Sequence, residues 1–310
     1  MAFLIERAIV IANPASRRGN GLAERARRAL VERSIECDLE FTTHAGHATE
    51  LALRHAPHYD AIFALGGDGT VMEVAAAMAG SVTPIGVLAA GTGNLLARAL
   101  GIPLSVKHAV PALVDGEQIQ IDLGRFESGR RFAIAAGVGI DAAMVAETPS
   151  WLKRRLGVSA YTLMGTRAAV RAVLRHDFFS ARVTIDGAVY ERRAAAVMVA
   201  NFGAVLGKRI TLGPGIRTDD GLLDVCIFSP ATLRDAVRIM RCMLRADFRG
   251  EPCIFYRTGR SIHVETSPAL PWQADGDLIG TTPFTVVVEP LAVRLLVPRP
   301  PASAIAHTGA

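Results

Sequence analysis

Gly66-Gly67-Asp68-Gly69-Thr70 follows the apolar run Asp60–Leu65 and precedes the helix-prone stretch Val71–Met78. A turn with three glycines between a buried strand and a helix lets backbone N–H groups close on an anion at the helix N-terminus, and Asp68 adds a carboxylate where a phosphate would lie. Nucleotide chemistry is one reading of this pattern. The other is a plain tight turn, which also favours glycine.

Two more apolar runs end in the same kind of text. Ala8–Ala12 leads into Asn13-Pro14-Ala15-Ser16 and then Arg17, Arg18 and Gly19, and Pro84–Leu88 leads into Gly91-Thr92-Gly93-Asn94. In an open parallel α/β sheet, ligands bind at the carboxyl ends of the strands.

The elements that must position these turns alternate up to about residue 123. Strands are expected at 8–12, 36–41, 60–65 and 84–88, and helices at 20–33, 47–55, 70–79 and 93–100, with Leu22, Ala26, Ala29 and Leu30 on one side of the first helix. That rhythm predicts a parallel sheet covered on both faces. From Ile119 the text becomes strand-rich, at 119–126, 131–137, 181–187, 189–200, 223–228, 261–266 and 284–289, with helical insertions at 151–175 and 232–248. The expected organisation is an N-terminal α/β domain over 1–123, to which a strand near 292–298 returns. A largely antiparallel β domain over 124–291 and a disordered tail over 299–310 complete it.

In this order NPAS (Asn13–Ser16), TTHAGHA (Thr42–Ala48), GGDGT, GTGNLLARALGIP (Gly91–Pro103), DDGLLD (Asp219–Asp224) and DGD (Asp275–Asp277) resemble the diacylglycerol kinase catalytic-domain family. The resemblance is closest to the bacterial soluble lipid kinases, relatives of the sphingosine kinases and more distantly of the NAD kinases, and runs from about residue 5 to about residue 298. It implies an ATP site lined by Asn13, Pro14, Ala15, Ser16 and Arg17, by Thr43, by Gly66, Gly67, Asp68, Gly69, Thr70, Val71, Met72 and Glu73, and by Thr92. A structural Mg2+ would take the Asp220 carboxylate and the carbonyls of Arg217 and Leu222, an all-oxygen set suited to a hard cation.

Phosphoryl transfer also needs a carboxylate to orient or deprotonate the attacking hydroxyl, and the chain lacks the Gly-x4-Gly-Lys-Ser/Thr run of a P-loop. The acids are Asp68, Asp122, Asp275 and Asp277. The resemblance places the Asp-Gly-acid element facing GGDGT, with one of its acids as proton acceptor; of the two, Asp277 is favoured as acceptor and Asp275 as a metal or water ligand. Alternatively, Asp-Gly is simply a favourable turn. Three positions depart from the family pattern: Leu95 stands where Asp is frequent, Met72 where Asn is frequent, and Asp277, one methylene shorter, where Glu is frequent. His44 and His47 are expected to hydrogen-bond at a helix start, not to bind metal.

Half of the 310 residues are hydrophobic and a fifth are charged, which fits a globular protein with two real cores. No apolar run reaches the roughly 18 residues that span a bilayer, and the N-terminus has no basic leader, so a cytoplasmic protein is expected. Cys37, Cys226, Cys242 and Cys253 lack the spacing of a zinc site, and most are assigned to packing. The net charge of +5 favours anionic partners, but no nucleic-acid motif accompanies it. Segment 151–175, with Trp151 beside Lys153, Arg154 and Arg155, is either a helix lying on an anionic membrane or an ordinary amphipathic cover of the second domain.

The expected activity is an ATP- and Mg2+-dependent lipid kinase acting at the inner membrane face on diacylglycerol or a related lipid. Rivals are a kinase of a soluble acceptor such as NAD and a non-catalytic nucleotide-binding regulator. The oligomeric state stays open, with a homodimer as one option.

Overall fold

The computed structural model describes residues 4–15, 19–140, 178–205, 210–211, 216–245, 247–248 and 251–299. Ser16, Arg17, segment 151–175 and the tail beyond residue 299 lie outside the described residues. The chain forms two units, one made of the residues up to Gln120 and from Val293 onward, the other of Ile121–Ala292.

In the first unit β1 (Arg7–Ala12), α1 (Gly19–Val31), β2 (Glu36–Phe41), α2 (His47–His55), β3 (Ala61–Gly66), α3 (Asp68–Ala77) and β4 (Ile85–Ala89) alternate as their sequence periods require. Two further helices follow, α4 (Leu95–Ala99) and α5 (Val106–Val114). The strands pair in the parallel order β2-β1-β3-β4. Every residue of β3 and β4 is buried, as expected of strands covered on both faces. Ala23, Ala26 and Leu30 form the buried stripe of α1, so Leu22 and Ala29 flank it. The sequence pattern does not reveal α5, because Pro111 stands inside it. Proline removes a helical donor and ordinarily marks a break.

The second unit begins in β5 (Glu117–Phe126) and continues through β6 (Arg131–Phe132), β7 (Ala135–Gly139), β8 (Phe179–Ile185), β9 (Ala188–Ala194), β10 (Ala196–Ala200), β11 (Ala204–Val205) and β12 (Ile210–Thr211). It then runs through β13 (Leu223–Phe228), α6 (Leu233–Arg245), β14 (Ile254–Gly259), β15 (Ser261–Ser267), β16 (Pro271–Ala274), β17 (Asp277–Thr281) and β18 (Phe284–Val297). The last residues of β18 return to the first unit, where Leu295 pairs in parallel with Ile85 of β4.

Two antiparallel layers make up the second unit. In one, β18, β15, β8 and β9 are successive neighbours; in the other the order is β14-β13-β10-β7-β16-β17. Phe126, Phe132, Trp272 and Phe284 gather in one core cluster, with ring centroids 4.6–5.9 Å apart. Aromatic groups at such separations supply much of a core's apolar burial.

Two single strands expected from sequence are each divided. The run 189–200 breaks at Ala195, and β9 and β10 pair in different layers. The run 131–137 breaks at Ala133-Ile134, whose amides bond elsewhere. The strands β11, β12, β14, β16 and β17 have no counterpart among those expected from sequence.

Candidate active site

Strand order 2-1-3-4 reverses direction between β1 and β3, and at that switch point a parallel sheet opens a crevice beyond its strand ends. The Asn13 side-chain amide donates to Thr70 Oγ1 at 3.1 Å, while Asn13 Oδ1 accepts the Ala15 N–H at 2.9 Å. The NPA turn after β1 is thereby tied to the helix that follows β3. Pro14 and Ala15 are exposed beside it.

GGDGT is the start of α3, with extended Gly67 as N-cap and Asp68 as the first helical residue. Its first-turn amides are those a helix leaves without intrahelical acceptors, and the dipole there favours an anion. Gly69 is exposed and would have open space around an added Cβ; Gly66 is buried, and a Cβ there would lie 2.6 Å from Thr70. Val71 is buried and points inward, whereas Met72 is half-exposed. These two can serve a ligand only through backbone or apolar contact.

The Asp68 carboxylate does not stand open to a ligand. It accepts the N–H of Asn94 at 2.9 Å and of Leu95 at 2.5 Å, and so caps α4 from another loop. Asn94 sits in the left-handed region at φ 49°, and its side chain bonds both backbone groups of Gly91. A Cβ on Gly91 would meet Gly67 Cα at 2.6 Å, and one on Gly93 would meet Asp68 Oδ2 at 2.6 Å. Glycine is required there because the two loops touch backbone to backbone. Arg98 completes the fastening by donating to the Gly93 carbonyl at 2.9 Å. Thr92, at the loop tip, makes no hydrogen bond among the described residues.

Glu73, expected among the ATP ligands, is likewise engaged. Its carboxylate accepts the amides of Gly46 at 3.0 Å and Ala48 at 3.3 Å, capping α2 across the crevice wall. Thr43 meets His44 and His47 through hydrogen bonds, and the two imidazoles stack at 4.7 Å. The histidines therefore build the TTHAGHA loop, as expected.

The remaining acids lie in the second unit. Asp275 and Gly276, at φ 47° and 89°, form the two-residue turn between β16 and β17, a geometry that Asp-Gly suits. Asp275 also accepts the amides of Ala133 at 2.8 Å, Ile134 at 2.9 Å and Ala135 at 3.1 Å. This is why 131–137 cannot run as one strand. With three amides on a group offering about four acceptor positions, Asp275 is held in place by the 133–135 backbone, and the expected metal or water would share the carboxylate with those amides. Asp277 differs: its side chain is 63% exposed and meets the Arg130 guanidinium at 3.0 Å.

Asp122 also departs from its expected catalytic place. It is 0% exposed, and its carboxylate accepts the amides of Leu291 and Gly221, each at 2.7 Å. Burial pushes its pKa up, the two amide bonds oppose that, and the charges of Asp220 and Asp219 add to the rise. A group with no exposed surface cannot meet a substrate. It braces the 217–222 loop, where Asp220 is exposed and accepts the Leu222 amide at 3.0 Å while Arg217 pairs with Asp219 at 3.2 Å.

Next to this loop is a pair that motif reasoning missed. Asp224 is buried on β13 and accepts the Tyr256 hydroxyl; burial pushes its pKa up to about 6, with the Asp220 charge contributing. Only register reveals this pair, since Cys226 of β13 faces Tyr256 of β14.

Residues 7–126 match the diacylglycerol kinase catalytic domain, and residues 133–297 match the YegS C-terminal NAD kinase beta sandwich-like domain. A diacylglycerol kinase of Bacillus subtilis is 29% identical over 303 residues, which cover 95% of this chain and 97% of the relative. An uncharacterized Synechocystis protein is 32% identical over 242 residues; the match covers 76% of this chain but 54% of that longer protein. The crystal structure of a diacylglycerol kinase from Bacillus anthracis superposes with a TM-score of 0.72 at 22% identity, covering 94% of this chain and 97% of that one, a likeness of fold.

Proposed function

Because the chain belongs to the family that joins a diacylglycerol kinase catalytic domain to an NAD kinase-like β-sandwich domain, we propose that it transfers phosphate from ATP, with Mg2+, to the hydroxyl of diacylglycerol or a related membrane lipid. The observation that carries this reading is the set of loops after β1, β3 and β4, fastened to one another by Asn13–Thr70 and Asp68–Asn94 and opening on the N-terminus of α3. Full-length similarity to a protein named diacylglycerol kinase supports the choice of acceptor.

The residues present fit a bound polyphosphate. Gly69 leaves the first turn of α3 uncovered, and the uncommitted Thr92 hydroxyl stands in the adjoining loop. ATP supplies the phosphoryl group and Mg2+ the counter-charge that such a transfer needs. The amides of α3 hold phosphate oxygens, and the capped loops cost no reorganisation when the ligand arrives. Asp277, open to solvent and oriented by Arg130, accepts the proton of the acceptor hydroxyl. The exposed Asp220 carboxylate, with the carbonyls of Arg217 and Leu222, gives the 217–222 loop the hard oxygen donors that Mg2+ takes.

The test is to incubate the purified protein with labelled ATP, Mg2+ and a panel of lipids together with NAD. Label on a lipid hydroxyl is the expected result. Label on NAD alone, or on nothing while ATP binds, overturns the reading.

A further inference from the structure

We propose that α6 is a docking helix for an anionic bilayer surface. Thr232 and Asp235 close its N-terminus reciprocally, since Asp235 N–H donates to Thr232 Oγ1 at 3.2 Å and the Asp235 carboxylate accepts the Thr232 N–H at 2.9 Å. The helix is thus built as a stable element. One side is accounted for: Ile239, Cys242 and Met243 pack on the cluster of Ala196, Cys226, Phe228, Phe248 and Ile254.

The other side does not have the composition of a solvated face. Arg234, Arg238, Arg241 and Arg245 follow one another at i, i+4, i+7 and i+11, which at 100° per residue confines them to an arc of about 60°. Leu233, Val237 and Met240 form a second row directly beside it. Leu233 is 45% and Val237 59% exposed, and Met240 is half-exposed. The outward direction therefore lies between a row of arginines and a row of apolar side chains. Within the helix only Arg238 has a carboxylate neighbour, Asp235 at 3.7 Å; Arg234, Arg241 and Arg245 make no ion pair among the described residues.

An interfacial helix has this form, with apolar side chains entering the acyl boundary and basic groups meeting anionic headgroups. At 13 residues, α6 is too short to span a bilayer, and no described helix is long and apolar enough to do so. Charge complementarity selects the occupant, because four arginines repel a cationic face and the apolar row gives nothing to a soluble polyanion. The inference deepens the proposed function and rests on it only in choosing a lipid surface over other anionic ones.

The test is sedimentation of the full chain with vesicles of equimolar phosphatidylglycerol and phosphatidylcholine, compared with phosphatidylcholine alone. Wild type should bind the anionic vesicles. Replacing Arg234, Arg238, Arg241 and Arg245 together with Gln should weaken binding by about 600-fold, since each basic group near such a surface contributes about fivefold. Arg→Lys at the same positions should retain binding, and Leu233→Ser with Val237→Ser should weaken it with all four charges present. A melting curve shared with wild type identifies folded variants, and the two sets fail independently. Phosphorylation of a short-chain diacylglycerol dissolved as monomer should be unaffected in both sets. Vesicle binding unchanged by both sets overturns the docking role even if the kinase assay succeeds. Loss of binding in both sets supports it even if no lipid is phosphorylated. Binding to heparin as tight as to vesicles, with no effect of the serine pair on either, identifies a polyanion site and overturns the proposal.

Discussion

Asp68 and Leu95 are joined by a 2.5 Å hydrogen bond from the Leu95 amide to the Asp68 carboxylate, so the turn after β3 carries the N-terminal cap of the helix after β4. The two glycine loops are one mechanical unit. Leu95 contributes its backbone here, which is why this position can be apolar without loss of the contact.

Asp68→Ala should therefore lower stability as well as turnover. Losing an acceptor for two amides in a part-buried site costs about 1–3 kcal/mol. Asp68→Asn, which keeps one acceptor oxygen, should recover part of the stability. Urea titrations of both variants beside ATP-dependent turnover check this; an Asp68→Ala protein as stable as wild type would show that the cap is dispensable.

Gly69→Ala and Gly93→Ala should behave oppositely. The added methyl at Gly69 meets nothing within 4 Å, whereas at Gly93 it lies 2.6 Å from the Asp68 carboxylate. Gly93→Ala should lower the melting temperature; Gly69→Ala should leave it at or above the wild-type value while weakening ATP binding, because it crowds the first turn of α3. Calorimetry with ATP separates the two effects.

Asp224 should make the folded state less stable as pH rises. Its folded pKa, about 6, lies above the ordinary 3.8, so the folded chain holds the proton more tightly. Stability from this group is full below about pH 4, falls through pH 6 and stays low above it, by about 1–3 kcal/mol. Asp224→Asn, which keeps an acceptor for Tyr256, should flatten that part of the profile. Denaturant midpoints measured from pH 4 to pH 8 decide it.

Asp220→Ala should abolish a Mg2+-dependent rise in melting temperature, because a cation bound only by the native state stabilises it by mass action. An identical response of mutant and wild type to Mg2+ would remove the cation from this loop.

Asp277→Asn should lower turnover about 100- to 10,000-fold with ATP affinity nearly unchanged, as loss of a general base does. Asp275→Asn should instead destabilise the β16–β17 hairpin, because three amides lose a charged acceptor. If Asp275→Asn keeps wild-type stability and loses all turnover while Asp277→Asn stays active, the roles are exchanged.

The alternation of β1 to α4, the glycine turns at their ends and the Asp-Gly turn were legible in the sequence, because each depends on residues a few positions apart. Strand period, helix period and turn chemistry are local properties of the chain. Which acids remain available was not legible. Asp68 finds its amides 26 and 27 residues away, Asp275 at 140 to 142, and Asp122 at 99 and 169. A carboxylate has the same composition whether it is capped, buried or open. The tertiary structure alone spends Asp68, Glu73, Asp122 and Asp275 on backbone donors and leaves Asp277 and Asp220 exposed, because a buried or loop amide must find an acceptor and the nearest one in space is seldom the nearest in sequence.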